Sequence, residues 1–180
     1  MIAKRIVSLV LVMSMFTGCL SIKPASIRTG KTDVASFYAG EEGTQYFIKP
    51  AWFSSAEKHK QISIDFTFRY KPTAIPDSVI MNFSMVAPAI YHRIDRLVIS
   101  NTGASIEACS VELLFHENHK KQFVSRFTSK ISFTDFKAVF AYGDDWMLNV
   151  YTTEQPVLYQ PDKKTRKTFI RLQDSLFRFI

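Results

Sequence analysis

Three groups of residues in this 180-residue chain carry side chains that could do chemistry, and spacing decides what each can do. His116-Glu117-Asn118-His119 brings two imidazoles close together. Zinc-binding helices separate paired histidines by four positions, so that both face one ion. Here the separation is three, on a segment that reads as a hairpin tip, while His59 and His92 stand apart and complete no ligand set. A polar loop is the better reading, and no metal or cofactor is expected. Asp144-Asp145-Trp146 joins two carboxylates to an aromatic ring that could stack on a sugar, the ingredients of glycoside hydrolysis. Adjacent carboxylates on a turn point apart, however, and Gly143-Asp144-Asp145 is ordinary turn chemistry. A hydrolase would need a second carboxylate from elsewhere, and Glu41, Glu42, Asp65 and Glu112 qualify only by residue type. Cys109 shares parity with Val111, Leu113 and Phe115, which places it on an apolar strand face as a small packed hydrophobe. A nucleophilic thiol would need basic or histidine-bearing surroundings, and none lies nearby in sequence. No catalytic residue is assigned.

Two further stretches bear on binding. Lys163, Lys164, Arg166, Lys167 and Arg171 form a basic run without an acid among residues 163–171. It reads as a solvated helix face, with contact to an anionic membrane surface as the sharper alternative. Pro50-Ala51-Trp52-Phe53 sets two large aromatics after a strand end. Exposed, they would contact a partner or glycan; buried, they belong to the edge of the core, which is the reading preferred here.

The elements that must position these groups are mostly strands. Ile62, Ile64, Phe66, Phe68 and Tyr70 alternate with Ser63, Asp65, Thr67 and Arg69, a period of two. After a turn with two prolines, Val79, Met81, Phe83 and Met85 alternate again, so the two runs read as an antiparallel hairpin. Residues 44–49 predict an earlier strand ended by Pro50, and residues 94–99 one that stops at the turn Asn101-Thr102-Gly103. Residues 105–115 and 122–128 predict a second hairpin around residues 117–121. Ser132 or Thr134 could cap a short helix through Phe140, and residues 146–152 form another strand. From Pro161 the tail carries Phe169, Leu172, Leu176 and Phe179 at helical spacing, with a strand over 168–172 as the alternative. The fold class is therefore mainly β: an antiparallel β-sandwich-like or β-rich α+β domain with a C-terminal helix. No βαβ alternation is present, which argues against a nucleotide-binding α/β fold.

Residues 1–18 have a different character. Lys4 and Arg5 precede an apolar core from Ile6 to Phe16, followed by the small pair Thr17-Gly18 and then Cys19. That is the layout of a secretory signal peptide, and the core is about half the roughly 20 residues that a spanning helix needs. Phe16-Thr17-Gly18-Cys19 resembles the lipobox of bacterial lipoproteins, with Phe16 where the family usually carries Leu, Val or Ile. The resemblance implies that Cys19 receives a diacylglycerol, that cleavage falls before it, and that the new amino terminus is acylated. With Leu20 in place of an inner-membrane-retaining Asp and no acidic run following, it further implies the periplasmic face of the outer membrane.

The expected organisation is then a signal peptide over 1–18, a lipidated tether over 19–33 and one globular β-rich domain over 34–180. The precursor's +7, less Lys4 and Arg5, leaves +5 on the mature chain. The full chain has 47% hydrophobic residues and sixteen Phe, all but Phe16 beyond residue 18, enough to fill a substantial core. The compartment makes nucleic acid a poor partner. The functional expectation is a membrane-anchored, non-enzymatic binding or assembly module for another envelope protein, its oligomeric state open. A glycan hydrolase and a small-ligand carrier are the alternatives.

Overall fold

The computed structural model describes residues 33–57, 59–119, 121–141, 145–153 and 155–180, with His119 described by its backbone alone. The lipobox and Cys19 lie outside the described residues, as does Asp144.

The chain is mainly β, with strands β1 Val34–Tyr38, β2 Thr44–Ser55, β3 Gln61–Tyr70, β4 Ser78–Ala87 and β5 Arg96–Ser100. These are followed by β6 Ser105–Ala108, β7 Glu112–His119, β8 Gln122–Ser132, β9 Met147–Tyr151 and β10 Val157–Pro161. Helix α1 spans Phe133–Ala141, and α2 spans Lys163–Leu172 before a π-helical turn at Gln173–Phe177. Both helices start on a side-chain cap. The Ser132 hydroxyl accepts from Asp135 N at 3.3 Å, and the Asp162 carboxylate accepts from Thr165 N at 2.7 Å.

All strands join one antiparallel sheet in the order β6-β5-β9-β10-β2-β3-β4-β8-β7, with β1 added beside β2. The sheet is curled, and β6 comes against β8 across the curl. Its strands therefore form a single curved layer instead of two stacked sheets. β2 is the strand that makes this possible. Its first half pairs with β1 and its last residues with β10 on one side, while β3 runs along the other. Pro50 does not end β2 as expected, because the register shifts between Ile48 and Ala51. Proline has no N–H to give to a ladder, and a bulge is one of the few places inside a sheet that tolerates it. Gly43, which leads into β2, has φ +90, and a Cβ there would run into the Tyr70 carbonyl.

The β3–β4 hairpin forms as the alternation predicts, with Ile62 opposite Met85 and Phe66 opposite Met81. Its inward residues meet the helices in a continuous aromatic core. Phe66 packs on Phe136 and Phe140 of α1 at 4.8 and 5.7 Å between ring centres. Phe140 also touches Phe169 of α2 at 5.0 Å and Phe177 at 4.8 Å. Trp146 closes the cluster, its ring 4.7 Å from Phe169 and its indole N–H donating to Val139 O at 3.1 Å. The tail is thus a helix that covers the concave side of the sheet, and its buried face is Thr165, Thr168, Phe169 and Leu172.

Two expectations are corrected by the topology. Residues 105–115 do not form one strand of a hairpin: β6 pairs with β5, whereas β7 pairs with β8. Residues 109–111 make the crossing between the two, so the alternation that placed Cys109 in the core breaks there, and the thiol is exposed. β1 and β10 were not anticipated.

Phe140 touches five aromatic rings. Replacing Phe140 with Ala should lower the unfolding free energy by about 3–5 kcal/mol in a urea titration, the usual cost of emptying an aromatic site in a packed core.

Candidate interaction face

The sheet has two sides, and only the concave one is covered by the helices. On the outward side, neighbouring strands set residues in rows: Phe47, Thr67, Ile80 and Lys130 in one, Trp52, Ser63, Ser84, Arg126 and Phe115 in the next. Large apolar side chains on this side, among them Phe37, Phe47, Trp52, Ile80 and Phe115, are between 37% and 46% exposed. Single exposed apolar residues are ordinary, and polar side chains such as Thr67, Ser63 and Arg126 separate these along their rows, but all of them share one side of the sheet.

Polar groups knit the centre of this face together. Arg126 donates to Asp65 Oδ2 at 2.7 Å and to Ser84 Oγ at 2.8 Å, and Asn82 Nδ2 donates to Asp65 Oδ1 at 3.2 Å. The ion pair is well shielded, with its side chains 24% and 14% exposed. The cluster therefore holds three strands in register and leaves Asp65 already satisfied, which is an architectural role.

Two depressions border the face. One of about 410 Å³ opens where β2 bulges between β1 and β10, lined by Trp52, Lys49, Asp33, Asp162, Lys164 and Thr165 among others. Its wall is tied to α2: the Thr165 hydroxyl donates to Trp52 O at 2.9 Å and accepts from Trp52 N at 3.2 Å. The other, about 250 Å³, is lined by Ile80, Glu112, Thr128, Lys130 and the serines 110 and 129. Beside it runs β7, the last strand of the sheet, whose Leu113, Leu114 and Phe115 are all exposed. An edge strand that pairs on one side only among the described residues, with apolar side chains, is the kind of strand that a second protein can extend.

The residues singled out in the sequence are scattered by the fold. Pro50-Ala51-Trp52-Phe53 is split: Phe53 is buried against Phe169, while Trp52 points outward. His116 lies within β7 and not in a loop, and its ring stands edge-on to that of His92 at 5.6 Å. His92 is therefore not isolated, a proximity that sequence reasoning missed because the two are 24 positions apart. No three His, Cys, Asp or Glu side chains come together among the described residues. Trp146 is buried and cannot stack on a sugar. Asp145 accepts hydrogen bonds from the Thr102 hydroxyl and from Thr102 N, the latter at 3.3 Å. Those bonds hold its carboxyl below the ordinary carboxylate range, the opposite of what a general acid needs. The Cys109 thiol is pushed up, first by desolvation and then by Glu107. Of the other carboxylates, Glu42 pairs with Arg69 and Asp65 with Arg126, whereas Glu112 lines the smaller groove.

Comparison with known proteins finds no match: no protein-family model, curated protein or solved structure is similar to the chain.

Because Asp145 has a lowered pKa in the folded state, its bonds to Thr102 stabilise the fold above the ordinary carboxylate pKa of about 3.9 and are lost as pH falls through the depressed value. Asp145→Asn should therefore melt at a lower temperature than the parent at pH 7. The gap should close on acidification, as read by thermal scans across the acid range.

Proposed function

We propose that this chain is a non-enzymatic binding or assembly module, held to a bacterial envelope membrane by lipid on Cys19. It would present the outward side of its sheet to another envelope protein. The observation that carries the reading is the set of exposed apolar residues on that side, Phe37, Phe47, Trp52, Ile80 and Phe115, on a sheet whose other side is filled. Burying such side chains against a partner contributes roughly 25 cal/mol per Å² of apolar area, whereas leaving them in water serves no need of the core. The partner suited to this surface is a protein with a complementary apolar patch that can also supply an extended segment to β7. The hydrolase alternative is weakened by the structural duties of Asp145 and Trp146. A carrier would need room where the aromatic rings of the core already interlock.

A photo-crosslinking residue placed singly at Phe47, Trp52 or Phe115 in the full chain, expressed in its native envelope, tests this. The expected outcome is a discrete adduct of the same mass from all three positions and none from Asp174 or Arg178, exposed positions beyond α2 on the helical side. Adducts from none of the three, or equally from the control positions, would rule the reading out.

A further inference from the structure

Helix α2 divides its surface sharply. Thr165, Thr168, Phe169 and Leu172 are buried against the sheet, while Lys163, Lys164, Lys167, Ile170 and Arg171 are exposed. At 3.6 residues per turn those five positions fall within one stripe of the helix, four of them cationic. A basic stripe alone is an ordinary solvated face. Its position relative to the start of the domain makes this one different.

Asp33, the first described residue, is fastened directly beside the stripe. Its carboxylate accepts from Arg171 Nε at 3.0 Å and Nη2 at 2.6 Å, and its carbonyl accepts from Lys49 N at 2.8 Å. Both Asp33 and Lys164 line the larger depression, so Asp33 and the helix face share one patch of surface. From Cys19 to Asp33 is 33 − 19 = 14 residues. As an unstructured tether, the expected form of residues 19–33, a stretch of that length would have a root-mean-square span of about 20 Å. An anchor on Cys19 would therefore keep this patch, more than any other, close to the bilayer.

We propose that the exposed face of α2 docks on the surface of a bilayer containing anionic phospholipid, with Lys163, Lys164 and Lys167 against the headgroups. The orientation rests on the lipid-anchor reading above; the charge complementarity does not. Ile170, exposed within the same stripe, sits where it can reach the headgroup boundary. Arg171 serves mainly to hold Asp33, and thus the start of the domain, on the membrane side.

Amine footprinting of the full chain reconstituted in vesicles is the test. Phosphatidylcholine vesicles are compared with vesicles that also contain phosphatidylglycerol, with Lys130 on the outward face of β8 as the internal control. On the anionic vesicles Lys163, Lys164 and Lys167 should label about five-fold more slowly, the factor that about 1 kcal/mol of surface attraction per lysine corresponds to. Salt near 1 M, where the Debye length is about 3 Å, should remove the difference. Equal labelling on both vesicles, or slowing that includes Lys130, overturns the proposal. The mass of the amino-terminal peptide from the same sample reports the anchor separately. An unmodified peptide with slowed lysines refutes the lipid reading and leaves docking intact, and an acylated peptide with unslowed lysines does the reverse.

Discussion

The contact on which the fold depends is the aromatic packing between the concave side of the sheet and its two helices, centred on Phe140. A curled antiparallel sheet of this size leaves a hollow that short aliphatic side chains could not fill. Phe53, Phe66, Phe136, Phe169 and Trp146 fill it with rings at tilted and edge-on angles, and Phe177 stacks on Phe140, arrangements that aromatic quadrupoles favour when stacking is offset. This packing fixes α2 against β2 and β10 and thereby fixes which side of α2 meets solvent. It also commits one side of every central strand to the interior, so the opposite parity carries whatever the protein shows to others.

The two bulges decide what is shown. In β2, simple alternation inward from Ile48 would have turned Trp52 toward the core and Phe53 out; the extra residue at Lys49-Pro50 reverses the pair. In β7, Leu113 opposes the inward Phe127, and alternation would have kept Phe115 inward as well. The irregularity at Leu114 places Phe115 opposite Arg126 on the outward side. Each bulge thus delivers a large aromatic to the same face. Bulges bend and re-aim strands at a cost in ladder regularity, and here both re-aim toward the one uncovered surface. Between them the Asp65–Arg126–Ser84–Asn82 cluster ties β3, β4 and β8 together, giving the exposed residues a rigid floor.

The parts of this that could be read from sequence are those where one periodicity runs undisturbed. The alternation of Ile62 to Tyr70 and of Val79 to Met85 identified a hairpin, because every inward residue there faces the same core. The helical spacing of Phe169, Leu172 and Leu176 identified α2 for the same reason. Where two rules compete, the pattern fails. Val157, Leu158 and Tyr159 are all apolar and show no alternation in sequence, and Pro156 and Pro161 flank them, which conceals a strand that the fold pairs on both sides. Cys109 kept its parity on paper, but the chain changes partners there, and parity has no meaning across a crossing. The outward face itself was illegible. It is assembled from β1, β2, β4 and β7, and nothing local distinguishes an exposed Phe47 from a buried Phe53.

The central claim is that the outward side of the sheet is covered by a partner in the native envelope. Hydroxyl-radical footprinting measures this most directly, comparing oxidation of Phe47, Trp52 and Phe115 in intact envelopes with that in the purified protein. Coverage predicts that all three are protected in envelopes and reactive once purified, while Tyr38 on the rim, 70% exposed, changes little. Equal oxidation of the three residues in both settings would contradict it.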